Sequence, residues 1–336
     1  MTKKHRVLST GPLHPDALAL LEKTCEVIIS PSEAPPDDLR RLIVDVDAII
    51  VRHKLPDDIF SAAPNLHACV RHGIGLDFIP MEAATRAAIP VANLPAANRQ
   101  AVVEHVIGTI LALARNLHRA DQRLRSDGWS SSTQTTGFEL AGKNLGVVGL
   151  GGIGLGVART MQEAFGMRVL GYSRHRVETD FTIDQVPLAE LCEASDVITL
   201  HVPSTPQTRN LLSHEMFALM KPRSILINTS RAEIVEEMAL VAALKTGALA
   251  AAALDVFSPE PLPRESPLWN TPNLLLTPHV AGLTQESSRR MSVEAVEETL
   301  RILNFQRPLN IVNPEVWDIY TAKFATDANA AMEFGS

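Results

Sequence analysis

The sequence predicts an α/β protein built on two doubly wound parallel sheets. Three observations support this fold class. Short β-branched runs alternate with helical patterns over the first hundred residues, a second alternation starts near Asn144, and a long helical pattern lies on each side of that second block. Strands that alternate with helices are typical of βαβ units and a parallel sheet. The 336 residues correspond to roughly two domains.

The first block is the part of the chain before residue 100. Its apolar runs predict strands over 6–9, 26–29, 48–52 and 67–71, and a helical pattern predicts a helix over 14–23. Apolar residues from 101 to about 126 then recur at helical spacing. They predict one long helix that leaves the first domain and enters the second.

The second block repeats the alternation. It predicts a helix over 152–165 and strands over 144–148, 167–172, 197–200, 224–228, 250–254 and 274–276. A further helical pattern over 284–305 would carry the chain back. We therefore expect a discontinuous first domain, 1–98 plus 290–336, with a second domain, 99–289, inserted in it. The periodicity is weak over 313–336, whose end is expected to lack regular structure.

Composition excludes several functional classes. Lys and Arg number 31 against 38 Asp and Glu, a formal charge of −7, which argues against a nucleic-acid or anionic-membrane surface. Three widely spaced cysteines exclude a cysteine-based zinc site or a disulfide framework. The longest apolar stretches fall short of the ~20 residues that a membrane span needs, and no targeting signal is evident. We expect a cytoplasmic protein without a metal.

A glycine-rich loop follows the predicted strand 144–148. Residues Gly149 to Gly154 match G-x-G-x-x-G and open the predicted helix, which is the context that dinucleotide binding requires. Gly149 permits a tight turn, Gly151 lets the backbone approach a pyrophosphate, and Gly154 allows close packing of helix and strand. The N–H groups of Gly152 and Ile153 would face the phosphates. The alternative, a glycine-rich turn without a ligand, is disfavoured by this context.

The end of the next predicted strand bears on the choice of cofactor. No carboxylate stands there to hold the ribose hydroxyls of NAD. Instead Ser173 could bind a 2′-phosphate, and Arg174 and Arg176 could neutralise it. The pattern favours NADP, with NAD as the alternative if the arginines only face solvent.

Four polar residues further along suggest proton transfer. Arg231 and Asp255 each follow a buried strand, and Glu260 and His279 lie in proline-containing turns. Reduction of a 2-keto acid needs a proton donor and a cation for the carboxylate. Imidazole titrates near neutral pH, which suits His279 to the first task, and Glu260 would stabilise the imidazolium. Arg231 offers a planar fork for the second. Each residue alone has an ordinary structural explanation.

The glycine loop is followed along the chain by Arg231, Asp255, Glu260 and His279. In this order of motifs the chain resembles the D-isomer-specific 2-hydroxyacid dehydrogenases, the family of phosphoglycerate dehydrogenase and the glyoxylate/hydroxypyruvate reductases. The resemblance runs from about 49 to 314. It rests on the segments 71–77, 98–105, 139–143, 149–154, 201–203, 220–222, 228–231, 254–261 and 277–279. It implies a Rossmann nucleotide-binding domain over 99–289, inserted in a flavodoxin-like substrate domain.

The resemblance also implies residue roles. The catalytic residues would be Arg231, Glu260 and His279. The expected substrate-binding residues are Arg52, Ile74, Gly75, Arg231 and His279. Motif and resemblance together give the expected cofactor contacts as Gly149, Gly151, Gly152, Ile153, Gly154, Ser173, Arg174, His201, Pro203, Thr208, Thr229, Ser230, Arg231, Asp255, His279, Ala281 and Gly282.

Two departures from the family pattern stand out. Ala232 replaces a usual glycine, so the backbone near Arg231 could differ slightly, and Ser173 replaces the usual acid, which puts NAD use in doubt. No appended regulatory domain is expected.

Two alternative functions remain open. One is a dinucleotide-sensing corepressor of the same fold, and the other is a phosphite-type dehydrogenase. For the enzyme, the expected partners are a small 2-keto or 2-hydroxy acid and a second copy of the chain. The helical pattern 101–126 and Trp129 could supply the apolar patch of a homodimer.

Overall fold

A computed structural model describes residues 4–31, 34–129 and 136–324. The chain divides into two compact units: unit 1 comprises Met1–Asn98 with Thr284–Ser336, and unit 2 comprises Arg99–Leu283. Each unit contains a parallel sheet interleaved with helices, which confirms the α/β fold class. The end of the chain, expected to lack regular structure, lies partly outside the described residues.

The sheet of unit 1 has five parallel strands in the order β2-β1-β3-β4-β5. The elements are β1 (His5–Ser9), α1 (Pro15–Leu21), β2 (Cys25–Ile29), α2 (Pro36–Leu42), β3 (Ala48–Val51), β4 (Ala68–Arg71), α3 (Met81–Arg86) and β5 (Val91–Ala92). All four residues of β3 are buried, with alternate side chains in the apolar clusters on the two faces of the sheet. Such two-sided burial explains why the strand is a continuous apolar run.

Unit 2 contains a seven-stranded parallel sheet in the order β12-β11-β10-β9-β6-β7-β8. Its elements are α4 (Arg99–Ala114), α5 (Leu117–Asp127), β6 (Asn144–Val148), α6 (Gly152–Phe165), β7 (Arg168–Tyr172), β8 (Asp184–Gln185), α7 (Leu188–Ala194), β9 (Val197–Leu200), α8 (His214–Leu219), β10 (Ile225–Asn228), α9 (Glu237–Thr246), β11 (Ala251–Leu254) and β12 (Leu274–Leu276). The strand order reverses between β6 and β9. Ligands of doubly wound sheets bind outside the carboxyl ends of the strands at such a switch point.

The prediction of one long helix over 101–126 is wrong. The structure forms two helices, and Asn116 between them has a left-handed conformation (φ 52°), which asparagine tolerates better than most residues. The carbonyl of Ala114 accepts a hydrogen bond from the N–H of Phe138 at 2.8 Å, so it is satisfied outside the helix. The burial pattern explains the break: α4 is packed on one face, whereas no residue of α5 is buried.

The chain returns to unit 1 through α10 (Gln285–Leu303), which packs on β3, β4 and α1. The helix begins with a capping box: the hydroxyl of Thr284 accepts a hydrogen bond from the N–H of Ser287, and the Ser287 hydroxyl accepts one from the N–H of Thr284. The capping box fixes the start of α10 close to residue 284, where the sequence predicts that the helix begins.

Candidate active site

The glycine loop after β6 has the geometry of a phosphate-binding turn. Gly149 has a φ of +104°, and a Cβ on it would lie 2.5 Å from the carbonyl oxygen of His201. A Cβ on Gly154 would overlap the carbonyl oxygen of Gly149, so helix and loop approach as closely as glycine allows. Gly151 is the N-cap of α6, and no side chain caps the helix there.

The first turn of α6 can therefore accept an anion. Its N–H groups lack acceptors within the helix, and the helix dipole adds positive potential at this end. Among the described residues, a Cβ on Gly151 would meet no atom within 4 Å, so they leave the space in front of the loop open. A dinucleotide pyrophosphate fits this arrangement, with Gly151, Gly152 and Ile153 as the residues that would hold it.

The loop after β9 lies next to the glycine loop at the switch point. The N–H of His201 donates to the carbonyl of Val148 at 2.7 Å, and the Nε2 of His201 pairs with the hydroxyl of Thr199 at 2.9 Å. Burial lowers the pKa of His201 to about 3, so its ring is neutral. Further along, the hydroxyl of Thr208 donates to the carbonyl of Pro203 at 2.6 Å and stabilises this loop.

The end of β7 is where the sequence predicts binding of the adenosine ribose. The hydroxyl of Ser173 donates to the carbonyl of His175, and Arg174 and Arg176 are exposed. Both guanidinium groups are thus on the surface of the turn that follows the strand.

Asn228 at the end of β10 fixes the conformation of the segment that carries Arg231. This asparagine is fully buried; its Oδ1 accepts from the N–H of Ser230 at 3.0 Å, and its Nδ2 donates to the carbonyl of Arg231 at 2.8 Å. Arg231 is extended, and its Nη1 donates to the carbonyl of Ser230 at 2.6 Å. The sequence analysis gave Asn228 no role of its own. The hydroxyl of Thr229 is buried without a partner among the described residues.

Asp255 follows β11, the neighbour of β10, and anchors the segment around His279. Its side chain is 1% exposed, and its carboxylate accepts from the hydroxyl of Thr277 at 2.6 Å, the N–H of Val280 at 2.9 Å and the N–H of Ala281 at 2.8 Å. These three donors lie on both sides of His279, which itself has a positive φ of 54°. The buried carboxylate thereby holds the histidine in a conformation that its backbone alone would disfavour.

His279 and Glu260 form the central pair of the site. The Nδ1 of His279 lies 2.8 Å from the Oε2 of Glu260, and the Oε1 of Glu260 accepts from the N–H of Phe257 at 2.9 Å. The two side chains are 45% and 34% exposed. Because the carboxylate of Glu260 accepts, Nδ1 of His279 carries the hydrogen and donates it, which leaves Nε2 as the nitrogen that can face a substrate. The structure thus brings together His279, Glu260 and Asp255.

In unit 1, the predicted substrate loop is held by an arginine. The Nε of Arg71 donates to the carbonyl of Gly75 at 2.9 Å, and its Nη1 donates to the carbonyls of Val51 at 2.8 Å and His72 at 2.9 Å. Asn93 donates to the carbonyl of Ile74 at 2.9 Å. The sequence did not predict this role of Arg71, which lies in the segment 71–77 of the family resemblance. Its place at a strand end beside a glycine-rich turn could have indicated it.

Two further residues of unit 1 border that loop. Arg52 donates from its guanidinium to the carbonyl of Pro12, and burial lowers the pKa of Arg52. Burial, with the charges of Arg52 and Arg71, lowers the pKa of His72 to about 3. The neutral His72 ring pairs with the hydroxyl of Ser292 at 2.9 Å.

The described part of the chain contains neither a metal-binding cluster nor a membrane-spanning helix. No group of three or more His, Cys, Asp or Glu residues there is arranged to hold a metal ion. None of the helices in those ranges has the length and apolar character needed to cross a membrane.

Comparison with known proteins identifies the family. The model of the D-isomer specific 2-hydroxyacid dehydrogenase, NAD binding domain, matches residues 107–281. The chain is 38% identical to D-3-phosphoglycerate dehydrogenase of Methanocaldococcus jannaschii, over 92% of this chain and 59% of that relative. It is 37% identical to hydroxypyruvate reductase of Thermotoga maritima, over 89% of this chain and 99% of the relative.

A solved structure supports the same conclusion. The NADPH-dependent glyoxylate/hydroxypyruvate reductase of Sinorhizobium meliloti, in complex with NADP and malonate, superposes with a TM-score of 0.80. It is 31% identical and covers 93% of this chain and 98% of its own. The chain therefore belongs to the D-isomer-specific 2-hydroxyacid dehydrogenase family, whose members are oxidoreductases that act on CH–OH groups.

Proposed function

We propose that this protein reduces a small 2-keto acid to its D-2-hydroxy acid, reversibly, with NADP(H) as the preferred cofactor. The observation that carries the proposal is the 2.8 Å hydrogen bond between His279 and Glu260, on a segment held by the buried Asp255. This pair places an imidazole bound by a carboxylate in the same unit as the glycine-rich loop that is proposed to bind the dinucleotide.

Each residue of the trio has a separate task in reduction. The nicotinamide, when bound, supplies the hydride that adds to C2 of the keto acid. His279 donates the proton from Nε2 to the carbonyl oxygen, so the C=O double bond becomes a CH–OH group with one hydride and one proton added. Glu260 stabilises the imidazolium before transfer, and Arg231 orients the carbonyl and the carboxylate of the substrate.

The preference for NADP rests on the turn after β7. Ser173 stands where a carboxylate would repel a 2′-phosphate, and the exposed Arg174 and Arg176 add two positive charges. The S. meliloti relative was solved with NADP, which agrees with this preference. NAD remains the alternative cofactor.

Unit 1 is proposed to bind the substrate and unit 2 the dinucleotide, so the domain boundaries predicted from sequence remain part of the proposal. In unit 1, the backbone N–H groups of Ile74 and Gly75 would bind the substrate carboxylate, and Arg52 would contact the rest of the molecule. Relatives named for glyoxylate, hydroxypyruvate and phosphoglycerate suggest these three substrate types. The cytoplasmic location expected from sequence stays a prediction.

A homodimer is also proposed, through the surface of α5. Leu117, Leu124 and Trp129 are 56%, 50% and 83% exposed, so these apolar side chains are available for contact with a second copy of the chain. Light scattering should give twice the chain mass at micromolar concentration. A monomer mass would reject the dimer without affecting the proposed reaction.

A panel of keto acids, assayed with NADPH and NADH in parallel, tests the proposed function. The panel contains glyoxylate, hydroxypyruvate, pyruvate and a phosphorylated keto acid. We expect oxidation of NADPH with at least one of them and a D-hydroxy acid as product. Cofactor binding without turnover of any keto acid would favour the dinucleotide-sensing alternative, and turnover of phosphite alone would favour the phosphite-type alternative.

A further inference from the structure

Arg99 places a positive charge at the glycine loop from a distant part of the sequence. It is the first residue of α4, 53 positions before Gly152. An ideal Cβ on Gly152 would lie 2.5 Å from the Nε of Arg99, 2.6 Å from its Cζ and 2.9 Å from its Nη2. The guanidinium therefore lies directly against the backbone of Gly152, in space that any side chain at position 152 would fill.

The packing of α4 on α6 fixes this position. One turn further along both helices, a Cβ on Gly156 would lie 2.8 Å from the Cγ2 of Val103. Arg99 and Val103 are four residues apart on α4, and Gly152 and Gly156 are four residues apart on α6. The two glycines thus let the helices approach along matched faces. The buried Val103 holds α4 in register, which brings Arg99 to the first turn of α6.

In the part of the chain that the structure describes, no protein group compensates the charge of Arg99. Over residues 4–31, 34–129 and 136–324, the Arg99 guanidinium has no hydrogen bond or ion pair, and the residue is exposed. It lies next to the positive end of a 14-residue helix whose first-turn N–H groups lack intrahelical acceptors. Two positive groups side by side repel each other, and an anion bound between them would remove that repulsion.

We propose that Arg99 binds the pyrophosphate of the dinucleotide together with the backbone N–H groups of the glycine loop. The inference rests on the proposed cofactor binding at this loop, and it adds a positioning residue from outside the loop. Arg99 would bind the pyrophosphate, a group that NADPH and NADH share. Its role therefore differs from that proposed for Arg174 and Arg176, which would bind the 2′-phosphate on the ribose of NADPH alone.

The test compares Arg99→Gln, Arg99→Lys and the control Arg115→Gln, an exposed arginine just past the other end of α4. Calorimetry measures the Kd of ADP-ribose, NADPH and NADH for each purified full-length protein. Loss of a charge-assisted contact should raise each Kd about tenfold in R99Q, by the same factor for NADPH and NADH. R99K should show a smaller increase, and R115Q none.

A second readout distinguishes binding from a structural role. The Kd of ADP-ribose should rise less steeply with salt in R99Q than in the wild type, because one cationic contact is missing. The melting temperature without nucleotide should not fall in R99Q, because the variant loses no contact and is relieved of the repulsion at the helix end. An unchanged Kd for ADP-ribose in R99Q, or loss for only one of the two cofactors, would overturn the assignment while leaving the proposed function intact. Failure of the wild type to bind any of the three would refute both.

Discussion

The pairing of His279 with Glu260 leads to the most informative mutation, Glu260→Gln. Glu260 accepts two hydrogen bonds, from the Phe257 N–H at Oε1 and from His279 at Oε2. Glutamine keeps the size of the side chain but has one acceptor oxygen and one donor nitrogen. If its oxygen accepts from the Phe257 N–H, its nitrogen faces Nδ1 of His279 and can no longer accept a hydrogen bond from the imidazole. The negative charge is lost in either orientation of the amide.

The size of the effect follows from distance and exposure. Unlike charges about 4 Å apart attract by about 4 kcal/mol at an effective dielectric of 20 and by about 1 kcal/mol in water. Because the side chains of His279 and Glu260 are 45% and 34% exposed, solvent screening brings the expected loss to about 1–2 kcal/mol. This corresponds to about a 5- to 30-fold decrease in kcat for keto-acid reduction at neutral pH.

The assay is initial-rate NADPH oxidation with saturating keto acid, between about pH 6 and pH 8. The deficit of E260Q should be present across this range, because the variant lacks the carboxylate that pairs with Nδ1 of His279. The Kd of NADPH should stay near the wild-type value. Glu265→Gln, an exposed glutamate five residues further on, serves as the control and should behave as wild type. If E260Q retained wild-type kcat over this pH range, the assigned role of Glu260 would be wrong.

Three other predictions concern neighbouring features. Asp255→Asn should lower both kcat and the free energy of unfolding. The free energy of unfolding should fall by about 1–3 kcal/mol, because the amide nitrogen would face the buried N–H of Ala281. An unchanged free energy of unfolding in chemical denaturation would contradict this. Ser173→Asp should lower the ratio of kcat/KM for NADPH over NADH by about tenfold or more, since a carboxylate repels a 2′-phosphate and accepts from ribose hydroxyls; an unchanged ratio would remove Ser173 from the cofactor site. Burial lowers the pKa of His72 to about 3, so below about pH 6.5 the unfolded chain takes up a proton that the folded chain excludes, and stability falls towards pH 3. His72 alone should account for about 2 kcal/mol between pH 7.5 and pH 5, and His72→Gln should flatten that part of the denaturation profile, whereas the exposed His175→Gln should not.

Sequence predicts an element well when the pattern of apolar residues within that element matches the side chains that the structure buries. The glycine loop lies between a buried apolar strand and a helix. The predicted bounds of that helix, 152–165, match α6. The buried strands of both sheets are continuous apolar runs, which makes them recognisable without tertiary information.

The elements that sequence predicts poorly depend on contacts far apart in the chain. Asn116 adopts a left-handed conformation just past α4, where the carbonyl of Ala114 accepts from the N–H of Phe138, a contact that helical periodicity does not reveal. Spacing suggested Asp255 as a polar residue at a strand end, but its three donors on either side of His279 became visible only in three dimensions. Arg99 lies in the segment 98–105 that contributes to the family resemblance, but only the packing of α4 on α6 shows that it reaches Gly152.

The central claim is that the imidazole of His279 delivers the proton in keto-acid reduction. The most direct measurement is turnover and NADPH affinity of His279→Ala beside the wild type, with the keto acid that the panel identifies. We expect kcat to fall by about a hundredfold or more while the Kd of NADPH changes little. Turnover near the wild-type rate in this variant would show that His279 does not deliver the proton.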